Sequence, residues 1–356
     1  MRLIFVTQAV DVDDPILGAT VAKLRTLAGR CGELVVLCDH VGRHDLPKNC
    51  RIRTYGASSR PARGVRFLRA LAPELRPLPD AIIAHMCPIF LVLAAPLARP
   101  LRIPLVLWYT HWTIDRTVRL ATRLSNLVLS VDRRSFPLSS PKVKGIGHGI
   151  DVHEFAPREP PPANGRPLRL LGLGRTSPSK GFGTLLRGLE LARAAGVEAT
   201  LELRGPSTTA EERGHRGELE RLAEGPGLAG TVVIGEPVPR SDVPALLGGF
   251  DAVVNSTRGQ TSGGALDKVV YESAASGVPV LACNPHFDRF LAGLPLELQF
   301  RSESPEDLAR VLTGFAASSP ESRLETGREL RRRVESGHST ESWADAVMAS
   351  VRELHP

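Results

Sequence analysis

The chain has 356 residues, 42% of them hydrophobic and 23% charged, with a formal net charge of +7. That suffices for about two domains with full cores and excludes a disordered tail. The longest apolar run, 89–98, is broken by Pro96 and falls far short of the roughly 20 residues that span a bilayer. Met1–Val6 runs directly into polar Thr7 and Gln8, so no signal peptide is expected. Five cysteines, Cys31, Cys38, Cys50, Cys87 and Cys283, include no close C-x2-C pair, which reads as buried thiols of a reduced, cytoplasmic protein. Excess base suits an anionic partner, phosphate or an acidic membrane surface. Nucleic acid is excluded as a partner: aromatics are 5% and no dense basic run interleaves with them.

In the first half, short apolar runs at 3–7, 34–38, 81–84, 104–108, 127–131 and 143–146 predict strands. Helical periodicity lies between them at 19–29, 63–71, 90–97 and 116–124. The second half repeats the scheme. Strands are expected at 168–173, 199–203, 231–234, 252–255, 279–282 and 297–300. Helices are expected at 183–195, 210–223, 242–248, 266–276, 305–316 and 322–334. A final helix at 341–354 carries Trp343, Val347 and Val351 at every fourth position. Strands alternating with helices mean parallel sheets, so the expected class is α/β with two Rossmann-like domains. The proline-rich stretch 154–167 is the expected linker. The division is therefore 1–153, linker 154–167, 168–338, and a closing helical segment 339–356. Ligands of such sheets bind beyond the carboxyl ends of the strands, so functional residues belong in the loops after strands.

Two loops carry chemistry. The first follows the strand at 168–173 and reads Gly174-Arg175-Thr176-Ser177-Pro178-Ser179-Lys180-Gly181. It lacks the glycine spacing of a dinucleotide fingerprint or a P-loop. It does place two cations, Arg175 and Lys180, beside the start of a helix expected near Pro178 with Ser177 as its cap, an arrangement suited to a diphosphate. Ordinary surface cations on a solvated loop are the plainer reading. The second follows the strand at 252–255. Gly263, Gly264 and Ala265 let backbone approach a ligand, and Asp267, Lys268 and Glu272 follow. Lys268 and Glu272 lie four apart on one helix face, either as a surface ion pair or with Glu272 accepting hydrogen bonds from a ribose diol and Lys268 near phosphate or sugar.

Together these segments resemble glycosyltransferase family 4, the retaining nucleotide-sugar enzymes of GT-B fold. Residues 4–7 leading to a helix at Gly18 resemble the first strand of that family and its glycine at the donor phosphate. His111 in Trp108-Tyr109-Thr110-His111-Trp112 stands where the family has a histidine after a strand, although a plain loop histidine fits as well. Gly147–Asp151 with Phe155 and Pro157 resembles the stretch that enters the second domain; His148 and Asp151 read there as hinge structure rather than chemistry. The resemblance implies two domains facing across a cleft, with the last helix returning to the first domain. It implies a diphosphate clamp of Arg175 and Lys180, a ribose-binding Glu272, and transfer of a sugar from a nucleotide diphosphate sugar, UDP favoured and GDP-mannose second, to an acceptor hydroxyl. The family pattern has a further glutamate eight positions before the ribose one. Gly264 stands there, so a carboxylate contact to the donor sugar is absent or moved to Asp267. A nucleotide-sugar epimerase of the same fold and a non-catalytic sugar-nucleotide-binding subunit are the alternatives.

Neither cofactor nor metal is expected. Asp11, Asp13 and Asp14 look like a metal-binding Asp-x-Asp but follow the first strand of a two-domain chain, where a polar loop is the simpler reading. Arg60, Arg63, Arg66 and Arg69 recur every third residue. A helix around Arg63–Arg69 offers either peripheral contact with an anionic inner-membrane face or, more simply, a solvated face in an Arg-rich chain. The acceptor, whether small molecule, glycan or lipid-linked, is not legible.

Overall fold

The structure, a computed structural model, describes residues 1–14, 16–157, 165–258 and 266–355. It divides into two compact units, Met1–Asp151 with Gly337–Pro356, and Val152–Ser336. Of the expected linker, Glu154 and Phe155 pack into the second unit, while 158–164 lie outside the described residues.

The first unit runs β1 (Arg2–Val10), α1 (Ala19–Ala28), β2 (Glu33–Val41), β3 (Cys50–Thr54), α2 (Arg60–Leu71), β4 (Ala81–His85), α3 (Pro88–Ala98), β5 (Leu105–Trp108), α4 (Arg116–Leu124), β6 (Leu127–Ser130) and β7 (Val143–Gly145). Its sheet has the order β3-β2-β1-β4-β5-β6-β7, and the paired strands are all parallel. The central strands are continuous apolar runs because helices cover both faces of the sheet; Leu3, Ile4, Phe5 and Val6 have no exposed surface. The strand order reverses between β1 and β4, so a crevice opens at their carboxyl ends. β3 was not expected from sequence. It is an edge strand of half-exposed residues, Cys-Arg-Ile-Arg-Thr, without an apolar run to announce it.

The second unit runs β8 (Leu168–Leu173), α5 (Phe182–Ala194), β9 (Ala199–Arg204), α6 (Ala210–Ala223), β10 (Val232–Gly235), α7 (Val243–Leu247), β11 (Ala252–Asn255), α8 (Lys268–Ala275), β12 (Val280–Ala282), α9 (Asp288–Leu291), α10 (Pro305–Ala317) and α11 (Pro320–Gly337). Its order is β10-β9-β8-β11-β12, again with parallel pairs. The reversal falls between β8 and β11. The strand expected at 297–300 is instead a single bridge, Ala282 to Gln299; Pro295, two residues before it, leaves little room for a ladder.

The last helix, α12 (Thr340–Arg352), belongs to the first unit and packs on α1. The four-residue spacing read from sequence is its buried stripe: Trp343, Val347 and Val351 are all fully covered. Trp343 meets Trp108 of β5 edge to face, ring centres 5.7 Å apart, and the Lys23 ammonium of α1 lies over both rings at 5.5 and 5.8 Å. Gly149, at φ 74°, lets the backbone pass here, since a Cβ would sit 2.7 Å from Lys23 Cε and 3.2 Å from Trp343 Cγ.

On α2, Phe67 and Leu71 are buried, and Phe67 packs against Tyr55 and Phe90 at 5.5 and 4.8 Å. Arg63 pairs with Asp39 at 3.1 Å and Arg66 donates to the Gly56 carbonyl. Val65 is the large apolar side chain left exposed on this helix. Its apolar side is thus committed to the core, and the structure gives no support for a membrane role. Among the described residues no helix is long and apolar enough to cross a membrane.

Candidate active site

The described sequence-derived residues of the second unit lie after β8 and β11, whose loops run side by side at its switch point. β8 ends at Leu173, Gly174 follows it, and a single 3-10 turn, Pro178–Lys180, comes next. The expected helix start near Pro178 is displaced to Phe182, because Gly181 takes φ 66° and breaks the turn first. Ser177 does not cap that helix; its hydroxyl bonds to Ser179 Oγ at 2.9 Å. Gly181 has a second reason to be glycine: a Cβ would stand 2.2 Å from the carbonyl oxygen of Ser256, just beyond β11. Ser256 Oγ donates to the Lys180 carbonyl at 2.8 Å, and Arg258 N donates to the Ser179 carbonyl at 2.9 Å. One side-chain and one backbone hydrogen bond stitch the two loops together.

Each cation of the first loop is met by a carboxylate, half-buried Asp267 for Lys180 and buried Glu212 for Arg175. Lys180 Nζ lies 2.8 Å from Asp267 Oδ2, which also accepts from Asn255 Nδ2 at 2.8 Å and from the Thr257 hydroxyl. Burial works to raise the Asp267 carboxyl, but Lys180 and these donors outweigh it and hold it below the ordinary range. Arg175 Nη1 lies 3.0 Å from Glu212 Oε1. Glu212 closes the capping box of α6 with Thr209 and accepts from Thr208 at its other oxygen. The Thr208 hydroxyl is the main reason its carboxyl is depressed. Arg175 keeps 59% of its side chain exposed and Lys180 19%, so Arg175 offers donors outward while Lys180 is enclosed.

Glu272 was read from sequence as sharing a polar face with Lys268. In the structure it is buried, and a third partner appears. Arg240, from the turn after β10, donates through Nη1 to Glu272 Oε1 at 2.9 Å; Lys268 Nζ lies 3.3 Å from the same oxygen. Burial pushes the Glu272 carboxyl up, while Lys268 and then Arg240 pull it net below its usual value. Arg240 also donates to Glu154 at 2.9 Å.

Gly263, Gly264 and Ala265 lie outside the described residues. Gly18 and His111 belong to the first unit. Gly18 is the first-turn boundary of α1, with helical φ −52°, and its N–H bonds the Asp14 carbonyl at 3.0 Å. His111 lies exposed in the loop after β5, its ring edge-on to Tyr109 at 5.9 Å; Tyr109 in turn donates to the Thr113 carbonyl at 2.9 Å and shapes the loop. The structure therefore joins Lys180 to Asp267 and Glu272 to Lys268, and adds Arg240, Glu212, Asn255 and Thr257.

The acidic loop after β1 spends its carboxylates locally. Asp13 binds Arg43 through two bonds, 2.6 and 3.0 Å, and Asp14 accepts from Ile16 N and Leu17 N. Among the described residues no group of three or more His, Cys, Asp or Glu gathers as a metal would require.

Solved structures with this architecture cover essentially the whole chain. HepE from Anabaena, in complex with UDP-glucose, superposes with a TM-score of 0.75 at 16% identity, covering 99% of this chain and 100% of that one. The fold is GT-B. A glycosyltransferase from Rickettsia africae gives 0.73 at 12% identity over 99% and 98% of the two chains. Sucrose-phosphate synthase from Thermosynechococcus elongatus gives 0.73 at 15% over 99% of each. In sequence, residues 192–349 match the family model described as Glycosyl transferase-like. Among curated proteins none matches the chain. The match and the neighbours agree on a glycosyltransferase-like chain.

Proposed function

We propose that the protein is a retaining glycosyltransferase that moves a hexose or aminosugar from a UDP-sugar to an acceptor hydroxyl. The observation that carries this is the pairing across the switch point: Lys180 after β8 held by Asp267 after β11, with the buried carboxylate of Glu272 one helical turn beyond. A nucleotide diphosphate binds at a switch point with its phosphates toward a helix start and its ribose toward a carboxylate. One structural neighbour supports the donor class, since HepE was solved with UDP-glucose and with UDP.

In this reading Arg175 and Lys180 meet the charge that develops on the leaving diphosphate. Because carboxylates already hold both cations, little reorganisation is needed as that charge appears. Glu272 takes the ribose hydroxyls, and Lys268 stands near phosphate or sugar. Backbone from 263–265 adds donors, whereas Gly18, whose N–H is already taken by the Asp14 carbonyl, adds none; His111 orients the sugar near its anomeric carbon. The bond from the anomeric carbon to the phosphate oxygen breaks, and the bond to the acceptor oxygen forms on the same face. The acceptor proton passes to the departing phosphate oxygen, so no metal is required. Incubation with UDP-glucose, UDP-N-acetylglucosamine and GDP-mannose tests the reading. Slow release of free sugar from a UDP donor supports it. Exchange at the sugar carbon next to the anomeric centre, or binding without turnover, overturns it.

A further inference from the structure

Both cations that reach Glu272 take the same oxygen. Arg240 Nη1 donates to Oε1 at 2.9 Å, and Lys268 Nζ stands 3.3 Å from it. Among the described residues nothing donates to Oε2. A carboxylate offers about four lone-pair sites, so one edge of this one is engaged and the other is left for something else. The side chain is 6% exposed, and bulk water reaches that second edge only marginally.

Arg240 is itself held on two further sides. Nη2 donates to Glu154 Oε2 at 2.9 Å, and the guanidinium lies over the Phe155 ring at 5.6 Å. A planar guanidinium can bind two carboxylates at a fixed angle between them; an ammonium on a flexible stem supplies charge without that direction. Lys268 therefore stabilises the Glu272 charge, whereas Arg240 sets which way the carboxylate faces.

We propose that Arg240 is a positioning residue for donor binding: fastened by Glu154 and Phe155, it pins Oε1 of Glu272 and so presents Oε2 to the ribose diol. The proposal rests on the ribose role given to Glu272 above and extends it to a residue that touches no donor atom. It makes the preference for ribose over deoxyribose a property of Arg240 as much as of Glu272.

Titration calorimetry with UDP and 2′-deoxy-UDP tests this on the wild-type protein and on Glu272→Gln, Arg240→Ala and Arg240→Lys, each checked for folding by thermal melt. Wild type prefers UDP by about tenfold or more, as expected for hydrogen bonds to a charged acceptor. Glu272→Gln loses that preference. Arg240→Ala and Arg240→Lys each lower the ratio at least about threefold while still binding UDP, because lysine cannot bridge Glu154 and Glu272 together. A preference that vanishes in Glu272→Gln but survives intact in Arg240→Lys overturns the proposal and leaves the ribose reading standing. A wild type without preference, or a Glu272→Gln variant that keeps it, overturns both. Should Arg240→Ala fail to fold, Arg240→Lys decides.

Discussion

Replacing Asp267 by asparagine separates the structural pairing of Lys180 from the diphosphate contact proposed for it. In wild type, Lys180 and Asp267 are enclosed, with 19% and 17% of their side chains exposed, and lie 2.8 Å apart. Removing one partner of a buried pair costs about 3–5 kcal/mol. The residual exposure and the retained Asn255 and Thr257 contacts reduce this to about 2–3 kcal/mol, or roughly 4–12 °C in the melting of the second unit. Ligand affinity moves the other way. A diphosphate bound to the Lys180 ammonium stands two hydrogen-bond lengths from the Asp267 carboxylate, about 5–6 Å. At an effective dielectric near 40, removing that like charge relieves about 1.5 kcal/mol, close to tenfold in affinity. The variant is therefore less stable, binds UDP about tenfold more tightly, and gains more melting temperature from added UDP than wild type does. Turnover falls, because product leaves more slowly and the ammonium is no longer fixed. Melting curves with and without UDP, together with a donor-hydrolysis assay, check all three. Weaker UDP binding in a folded Asp267→Asn variant, or a UDP-induced shift no larger than that of wild type, refutes the placement of the diphosphate at Lys180.

Lys180→Ala and Arg175→Ala both weaken UDP binding and lower transfer about 10²-fold, Lys180→Ala more, because Arg175 is largely solvated and Lys180 enclosed; calorimetry and steady-state kinetics measure each. EDTA leaves activity intact, since Asp13 and Asp14 are already engaged by Arg43 and by backbone N–H groups; loss with chelator and recovery with Mn²⁺ contradicts this. Trp343→Ala destabilises the first unit by about 3–5 kcal/mol, because a fully buried ring between Trp108 and Lys23 leaves a cavity; denaturant titration followed by Trp fluorescence checks it. Glu272 and Asp267 have carboxyls held below their unfolded values, so their contribution to stability is complete above about pH 4–4.5 and is lost as pH falls through the lower folded values. A melting profile of the second unit that declines only below that range is expected; a decline beginning near pH 6 contradicts it.

Local signals in the sequence carried most of the architecture. The strands at 168–173 and 252–255 and the helices at 116–124 and 210–223 coincide with β8, β11, α4 and α6, because apolar runs and caps mark them directly. Asp115 and Thr209, whose side chains accept from the first turn, start two of these helices. β3 escaped because an edge strand needs no buried face, and 297–300 misled because the polar-apolar alternation of Glu297, Leu298, Gln299 and Phe300 imitates a half-buried strand. Lys180 and Glu272 were legible as single positions in their loops. Their partners were not: Lys180 finds Asp267 87 residues away, and Glu272 finds Arg240 32 residues upstream, among arginines that look alike in sequence. Glu212 did carry a signal, the Thr209-x-x-Glu212 capping box, but nothing local ties that box to Arg175. Pairings of this kind are set by sheet order, which places β8 beside β11, and strand order follows from tertiary packing rather than from any single segment.

A structure of the protein with UDP bound tests the central claim most directly. The account predicts the diphosphate between Arg175 and Lys180, and the ribose hydroxyls within hydrogen-bond distance of Glu272 Oε2 while Arg240 keeps its bond to Oε1. UDP bound with its ribose away from Glu272, or with its phosphates away from Lys180, contradicts it.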